Sequence, residues 1–316
     1  MTDNSLPRIL GTDVGAIAEA ASRLQQGGLV ALPTETVYGL AARADQAEAV
    51  AAIYRAKGRP DFNPLIVHVP DLAAAEALVL LDDRARDLAQ AFWPGPLTIV
   101  LPKRDDAQLA AAVTAGLPTV AIRCPAHPVM RAVLQASGLP LAAPSANRSG
   151  GVSPTSAAHV ADSLGARVEM IVDGGTCPAG IESTIVALRD SGWQVLRPGP
   201  VTQEDLAAVL GQGGSVASGE KIEAPGQMTS HYAPGKPVRL NAAQKAADEF
   251  FIGFGDVEAD YQLSRSGDLA EAAARLYDAL HASAHVALPK VAVAPIPESG
   301  MGVAINDRLR RAAAPV

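Results

Sequence analysis

Two kinds of segment alternate along the first 210 residues, and this alternation is the strongest constraint on the fold. Ala-rich stretches predict helices at 14–25, 46–56, 72–77, 83–91, 129–136, 156–164 and 203–210. Short runs rich in β-branched residues predict strands at 29–32, 65–69, 97–101, 120–123, 141–143, 170–172, 183–188 and 193–196. Helices mixed with strands indicate an α/β domain, but the sequence does not reveal the order of the strands.

The pattern changes after residue 210. The Gly- and Ser-rich stretch 211–219 predicts a flexible linker, and the Pro-rich stretch 224–237 predicts an ordered loop. Beyond it we expect strands at 238–240, 250–254 and 291–295, and helices at about 242–249, 267–280 and 305–313. The chain therefore divides into a first domain at 1–210, a linker or lid loop at 211–237, and a small parallel α/β domain at 238–316.

Composition narrows the classes of protein that remain possible. A chain of 316 residues is long enough for two domains. A formal net charge of −7 disfavours extensive binding of nucleic acid, although a local basic patch stays possible. Two cysteines, Cys124 and Cys177, are too few for a disulfide framework or a structural zinc site. The polar first residues and the lack of a long apolar run predict a cytoplasmic protein without a membrane span.

Two loops carry groups that suit an anion site. Lys57 and Arg59 follow a predicted helix that Pro60 ends, so both cations are expected in a constrained loop. Arg suits bidentate binding of phosphate, and Lys supplies a mobile charge. The alternative is that both cations only complement the helix dipole. The segment 144–150, Pro-Ser-Ala-Asn-Arg-Ser-Gly, could form a backbone cradle for phosphate or an ordinary polar loop, and it lacks the P-loop spacing.

Three further features leave alternatives open. Arg123 ends an apolar strand, where it could bind a substrate carboxylate or form a salt bridge. The segment 33–40, Pro-Thr-Glu-Thr-Val-Tyr-Gly-Leu, offers hydroxyl groups, yet by itself it favours a strand-to-helix connection. His68 within a strand is more typical of a structural residue. A site of Arg, Lys, Ser, Thr and Asn, with no evident nucleophile or metal cage, suits phosphoryl or nucleotidyl transfer.

Several ordered motifs resemble the Sua5/YrdC/YwlC family. They are the segments at 33–40, 57–60, 63–68, 93–98, 144–147 and 180–184, and together with the second unit the resemblance extends over nearly the whole chain. The second unit and the Ser-His-Tyr-Ala-Pro loop at 230–234 resemble the longer, two-domain Sua5 type. The resemblance implies an α/β protein with a YrdC-like twisted mixed sheet, followed by a small Rossmann-like Sua5 domain. In the family, the linker folds over the active site.

The resemblance implies a nucleotidyltransferase that makes threonylcarbamoyl-AMP and pyrophosphate from L-threonine, bicarbonate and ATP. Mg²⁺ would enter with ATP, without a protein metal site. The product would pass to a tRNA threonylcarbamoyl transferase complex, which modifies adenosine 37 of tRNA, and a weak RNA contact is possible. Two alternatives stay open: a translation factor that binds double-stranded RNA, and a carbamoyl-transfer domain with another acceptor.

The motifs also assign residues by resemblance. Lys57 and Arg59 would be catalytic, and the residues that hold threonine would be Thr34 (or Thr36), His68, Arg123, Ala143 and Ser183. Those that meet the nucleotide would be Arg59, Asn63, Thr119, Ser145, Asn147, Ser153, Arg197, His231 and Tyr232. One stretch departs from the family pattern, because Gln227, Met228, Thr229 and Ser230 stand where many Sua5 linkers carry basic residues.

Overall fold

A computed structural model describes residues 6–216, 223–227 and 231–315. Its first sheet contains β1 (Arg8–Leu10), β2 (Val30–Pro33), β3 (Tyr38–Arg43), β4 (Ile66–His68), β5 (Leu97–Pro102), β6 (Thr119–Arg123), β7 (Leu141–Ala142), β8 (Met170–Val172), β9 (Thr184–Arg189), β10 (Gly192–Arg197) and β11 (Gly214–Val216). The helices of this part are α1 (Val14–Gln25), α2 (Ala47–Lys57), α3 (Leu72–Glu76), α4 (Asp83–Phe92), α5 (Ala111–Thr114), α6 (Pro128–Ser137), α7 (Ala157–Leu164) and α8 (Gln203–Leu210).

The first sheet is mixed, as predicted. Its strands lie in the order β1-β8-β2-β3-β7-β4-β6-β5-β9-β10-β11 across the described residues. Strand β4 pairs parallel with β6 and antiparallel with β7, and β5 pairs antiparallel with β6 and parallel with β9. Their side chains are almost wholly buried, which matches their continuous apolar sequences. This central part of the sheet contributes Ile66, His68 and Arg123 to the candidate site.

A second, four-stranded sheet follows the loop. It contains β12 (Val238–Arg239), β13 (Glu249–Gly253), β14 (Tyr261–Gln262) and β15 (Lys290–Val293) in the order β12-β15-β13-β14, with every pair parallel. Helices α9 (Leu269–His285) and α10 (Met301–Ala313) pack against it. The prediction of a small parallel α/β unit is confirmed, and α10 reaches the first domain through the contact of Arg308 with Glu182.

The predicted helix at about 242–249 is wrong. Glu249 begins β13, and its carboxylate accepts hydrogen bonds from Arg239 Nε at 2.8 Å and from the Ala246 backbone N–H at 2.7 Å. Residues 242–248 form bends and a turn, without a helical segment. The tertiary contacts of Glu249 therefore override the helical preference of this Ala-containing stretch.

Two other predictions need correction. Residues 33–40 do not connect a strand to a helix, because β2 and β3 form an antiparallel pair around a turn at 34–37. Strand β3 escaped prediction because its Tyr-Gly-Leu-Ala-Ala-Arg sequence has no β-branched residue. The predicted flexible linker at 211–219 contains β11, which pairs parallel with β10, while 217–219 fall outside the described residues.

Candidate functional site

One cavity opens at the first sheet. It receives side chains from the turn between β2 and β3, the strands β4 and β6, the loop after β7, the segment before β9, the end of β10 and the linker. Its lining residues are Thr34, Thr36, Val37, Gly39, Arg59, Ile66, His68, Arg123, Ala143, Pro144, Ser145, Glu182, Ser183, Arg197, Pro225, Gly226, His231 and Tyr232. Three guanidinium groups from distant parts of the chain thus meet in one cavity.

Arg123 forms one end of the cavity. Its Nη1 donates to Thr36 Oγ1 at 2.9 Å, and its Nη2 lies 2.7 Å from Glu35 Oε1. Burial raises the pKa of the Glu35 carboxyl, but the charge and hydrogen bond of Arg123 outweigh it, so the pKa is lowered overall. Arg123 therefore forms the salt bridge that the sequence left open, and it also lines the cavity, where a carboxylate could bind.

Two threonines and a histidine complete this end. The hydroxyl groups of Thr34 and Thr36 lie 2.8 Å apart, and both residues line the cavity. The choice between them as the residue that contacts threonine stays open. Burial, with the charge of Arg123, lowers the pKa of His68 to about 3. His68 is therefore neutral at physiological pH, and its imidazole can donate or accept a hydrogen bond without adding charge.

Lys57 and Arg59 occupy different positions relative to the cavity. Lys57 is buried at the end of α2, and its Nζ donates to the carbonyl oxygens of Ser145 and Asn147, each at 2.5 Å. It lies behind the lining formed by the described residues and braces the loop after β7. Arg59 lines the cavity, and its Nη2 donates to the carbonyl oxygen of Pro64 at 2.8 Å. Burial lowers the pKa of Arg59 to about 10, so it stays cationic.

Arg197 lines the cavity beside Ser183. Its Nη2 donates to the Ser183 backbone oxygen at 3.0 Å and to the Ser183 Oγ at 3.1 Å. The Ser183 hydroxyl also lies 2.8 Å from Thr98 Oγ1. Burial lowers the pKa of Arg197, although nearby Tyr232 and Glu182 raise it. The guanidinium is held in one orientation and remains available to an anion in the cavity.

Four residues assigned to the nucleotide by resemblance lie outside the lining of the described cavity. They are Asn63, Thr119, Asn147 and Ser153. Asn147 Nδ2 donates to the carbonyl oxygen of Gly151 at 2.8 Å, so it shapes the loop. Thr119 begins β6 and shares one strand face with Arg123, four residues further along. Direct contact of these four with a nucleotide stays a prediction, whereas Ala143 and Ser145 do line the cavity.

The linker covers part of the cavity. His231 and Tyr232 line it, with their rings 4.1 Å apart in an edge-on arrangement. Tyr232 adopts a φ of 63°, an unusual conformation for a non-glycine residue, and only 1% of it is exposed. Gly226 also has a positive φ, and a Cβ there would lie 2.8 Å from Arg197 Cδ. Gln227, at the stretch that departs from the family pattern, accepts hydrogen bonds at its Oε1 from the backbone N–H groups of Glu223 at 2.7 Å and Ala224 at 2.9 Å. Met228, Thr229 and Ser230 fall outside the described residues.

Sequence reasoning missed Glu182 as a site residue. Glu182 lines the cavity, and its carboxylate accepts hydrogen bonds from Ser153 Oγ at 2.5 Å, from Tyr277 Oη at 2.7 Å and from Arg308 Nε at 2.9 Å. Burial raises the pKa of this carboxyl, but Arg308, Arg197 and these hydrogen bonds lower it to about 2. The only signal in the sequence was its place in the motif at 180–184, because its partners lie far away in the chain.

The fold and the cavity define a class: a two-domain α/β protein whose arginine-lined cavity suits a substrate with several negative charges. The chain belongs to the Sua5/YrdC/YciO family. The family profile described as "Telomere recombination" matches residues 22–199, and the one described as "Threonylcarbamoyl-AMP synthase, C-terminal domain" matches residues 201–314.

Named relatives agree with this assignment. The threonylcarbamoyl-AMP synthase of Bacillus subtilis is 43% identical, over 96% of this chain and 94% of the relative. The threonylcarbamoyl-AMP synthase of Pyrococcus abyssi is 38% identical, over 93% of this chain and 92% of the relative. A crystal structure of the P. abyssi Sua5 protein complexed with L-threonine superposes with a TM-score of 0.91, at 36% identity, over 97% of each chain.

Proposed function

We propose that the protein is a threonylcarbamoyl-AMP synthase, which joins L-threonine, bicarbonate and ATP and releases pyrophosphate. The observation that carries this proposal is the meeting of Arg59, Arg123 and Arg197 in one cavity, which suits an amino-acid carboxylate beside a polyphosphate. The names of the full-length relatives and the threonine complex of the P. abyssi protein support it.

Threonine binds at the Arg123 end in this proposal. Its carboxylate pairs with Arg123, whose Nη1 and Nη2 are already oriented by Thr36 and Glu35. Neutral His68, Ala143 and the hydroxyl groups of Thr34 or Thr36 surround the rest of the amino acid. Because Arg123 is buried and lies on a strand, it holds the threonine carboxylate in a fixed position. The amine of threonine then remains free to react.

The reaction proceeds in two steps. The unprotonated amine of threonine adds to the carbon of bicarbonate, an N–C bond forms, water leaves, and a carbamate results. A carbamate oxygen then attacks the α-phosphorus of ATP while the bond to the bridging β-phosphate oxygen breaks, and pyrophosphate departs. This is nucleotidyl transfer, and it needs charge stabilisation and alignment more than it needs a protein nucleophile.

Arg59 and Arg197 offset the charge that grows on the phosphates, and Ser145 supplies a hydroxyl at the cavity wall. Lys57 acts by fixing the backbone of Ser145 and Asn147 through its two hydrogen bonds. Among the described residues, no group of His, Cys, Asp or Glu could hold a metal ion by itself. We therefore propose that Mg²⁺ enters as the complex with ATP.

The cover formed by His231 and Tyr232 limits access of water to the cavity, which protects a labile mixed anhydride. The product would be passed to a tRNA threonylcarbamoyl transferase complex for modification of adenosine 37. The chain's described helices all fall short of the length and apolarity that a bilayer crossing demands. Neither RNA binding nor carbamoyl transfer to another acceptor gains support from the comparisons.

A direct assay tests the proposal. The purified protein is incubated with ¹⁴C-bicarbonate, ATP and Mg²⁺, with and without L-threonine, and pyrophosphate and the labelled adenylate are measured. We expect both products only when threonine is present. Pyrophosphate release that does not depend on threonine, or the absence of a labelled adenylate, would refute it. The Arg310→Met variant, which alters a surface ion pair with Glu298, serves as a matched control with normal activity.

A further inference from the structure

A cluster of buried polar side chains joins the two domains directly behind the cavity. Glu182 belongs to the first domain, while Tyr277 lies on α9 and Arg308 on α10. The Nε of Arg308 donates to Glu182 Oε2 at 2.9 Å, and the Tyr277 hydroxyl donates to the same oxygen at 2.7 Å. Arg308 is 0% exposed, and Asp307 Oδ2 lies 2.8 Å from its Nη1.

The same helix reaches the cover of the cavity. The Arg308 guanidinium carbon lies 5.5 Å from the centre of the Tyr232 ring, and Tyr232 stacks on Tyr277 with ring centres 5.4 Å apart. One turn further along α10, the backbone oxygen of Arg311 accepts a hydrogen bond from the His231 N–H at 3.2 Å. Helix α10 therefore contacts Glu182, His231 and Tyr232, three residues that line the cavity.

A buried ion pair of this kind is not explained by stability alone. Removing two charges from water costs several kcal/mol per ion, and well-packed apolar residues often stabilise a fold as well or better. What the pair does provide is a fixed geometry. Glu182 adjoins Ser183 in sequence, and Arg197 donates to Ser183, so a shift of Glu182 also shifts the hydrogen-bond acceptor of Arg197.

We propose that Arg308, supplied by the C-terminal domain, is a positioning residue for the adenylate-forming reaction. Because Arg308 pairs with Glu182, Arg197 keeps its hydrogen bonds to Ser183 and faces the nucleotide phosphates. This inference rests on the proposed function. Glu182 and Arg197 line the same cavity, and the charge of Arg197 lowers the pKa of Glu182, so we expect the carboxylate to draw Arg197 away from Ser183 once Arg308 is lost. Arg308 does not line the cavity formed by the described residues, so it acts through these two side chains.

The pH dependence of activity distinguishes a positioning role from a purely structural one, because it depends on the charge of Glu182. The titratable or charged groups that act on Glu182 or feel its charge are Arg308, Arg197, Tyr277, Tyr232, Lys57 and His231. Arg308 is the largest of the influences that lower the pKa of Glu182, while burial raises it. Loss of Arg308 therefore raises that pKa, and in the Arg308→Met protein protonation of Glu182 releases Arg197, so part of the lost activity returns as the pH falls.

The experiment compares three variants on one helix: Arg308→Met, Arg308→Lys and Arg310→Met. Arg310 is exposed and pairs only with Glu298 among the described residues, at 2.7 Å, so its variant controls for a lost charge on α10. We expect Arg308→Met to raise the KM for ATP at least tenfold and the KM for threonine less than threefold. Arg308→Lys should restore the KM for ATP to within threefold, and Arg310→Met should match the unaltered protein.

Two further measurements separate the possible failures. Calorimetric binding of a nonhydrolysable ATP analogue reports positioning even if the reaction proves to be a different one, so the two proposals can fail independently. The analogue affinity of Arg308→Met should improve as the pH falls, and Glu182→Gln in the same variant should restore affinity and remove this pH dependence. A folded Arg308→Met protein with analogue affinity within twofold of normal would overturn the inference.

Arg308→Met could also fail to fold. Tyr277→Phe then decides, because it removes one hydrogen bond to Glu182 and leaves the ring stack with Tyr232 in place. We expect a twofold to fivefold loss of analogue affinity with unchanged threonine affinity. Unchanged analogue affinity in Tyr277→Phe would count against the inference.

Discussion

Replacement of Arg123 by methionine tests the threonine end of the cavity. The side chain is buried, its Nη1 donates to Thr36 at 2.9 Å, and its Nη2 lies 2.7 Å from Glu35. A hydrogen bond to a charged group contributes about 1.5–3 kcal/mol, so losing a forked pair with a carboxylate costs at least about 3 kcal/mol. Because about 1.4 kcal/mol is a factor of ten, the Kd for threonine should rise more than a hundredfold.

The same change also affects stability. It leaves Glu35 largely buried without its cation, and breaking a buried pair in this way costs about 3–5 kcal/mol. The Arg123→Lys variant keeps the charge and loses the fork, so it should fold more readily and bind threonine about tenfold more weakly than the unaltered protein. Unfolding in urea, followed by circular dichroism, measures the stability of each variant.

Isothermal titration calorimetry with L-threonine and with L-threoninol completes this test. Threoninol lacks the carboxylate, so its affinity should change little between the unaltered protein and the two variants. The comparison isolates the contribution of the carboxylate from any general distortion of the cavity. A folded Arg123→Met protein that binds threonine within threefold of normal would refute the assignment of Arg123 to the carboxylate.

Three further changes test the hydrogen bonds of Lys57 to the loop after β7, the buried carboxylate of Glu182, and the contact between the two domains at Gly180. Lys57→Met removes the donor to two backbone oxygens, and we expect a roughly hundredfold lower rate of pyrophosphate release, with threonine affinity nearly unchanged by calorimetry. Glu182 has a folded pKa of about 2, below its ordinary 4.5, so it stabilises the fold above pH 4.5 and loses this contribution as the pH falls toward 2. The loss amounts to roughly 3 kcal/mol, and Glu182→Gln should flatten the urea stability curve between pH 5 and pH 2, whereas an unchanged slope would contradict this. Gly180→Ala should destabilise far more than Gly175→Ala in thermal unfolding, because both have a positive φ but only at 180 would a Cβ meet backbone, 2.4 Å from Ala274 Cα. Equal losses for the two alanine variants would show that the contact with α9 is not close.

Much of the first domain could be predicted because its signals are local. Helix α1 combines the Asp13 cap with buried alanines on one face, and β2 is a short apolar run, so both were found to within a residue. Strand β3 and the stretch before Glu249 were not found. Their conformation depends on a neighbouring strand in one case and on Arg239 in the other, and local propensity carries no information about either.

The residues of the candidate site also differ in whether a local sequence signal marks them. Arg59, Arg123 and Arg197 could be found because each stands at the end of a helix or strand, next to a turn. Glu182 could not, because its significance comes from Arg308, which lies 126 residues away and offers no motif. Direct contact of Thr119 with a nucleotide rests on resemblance, since position along β6 decides only which face the residue occupies.

A crystal structure of the protein with L-threonine and a nonhydrolysable ATP analogue tests the shared cavity most directly. We expect the threonine carboxylate on Arg123, and the analogue's phosphates between Arg59 and Arg197, beneath His231 and Tyr232. Threonine or the analogue bound on a different surface, with these three arginines left without a ligand, would contradict the account.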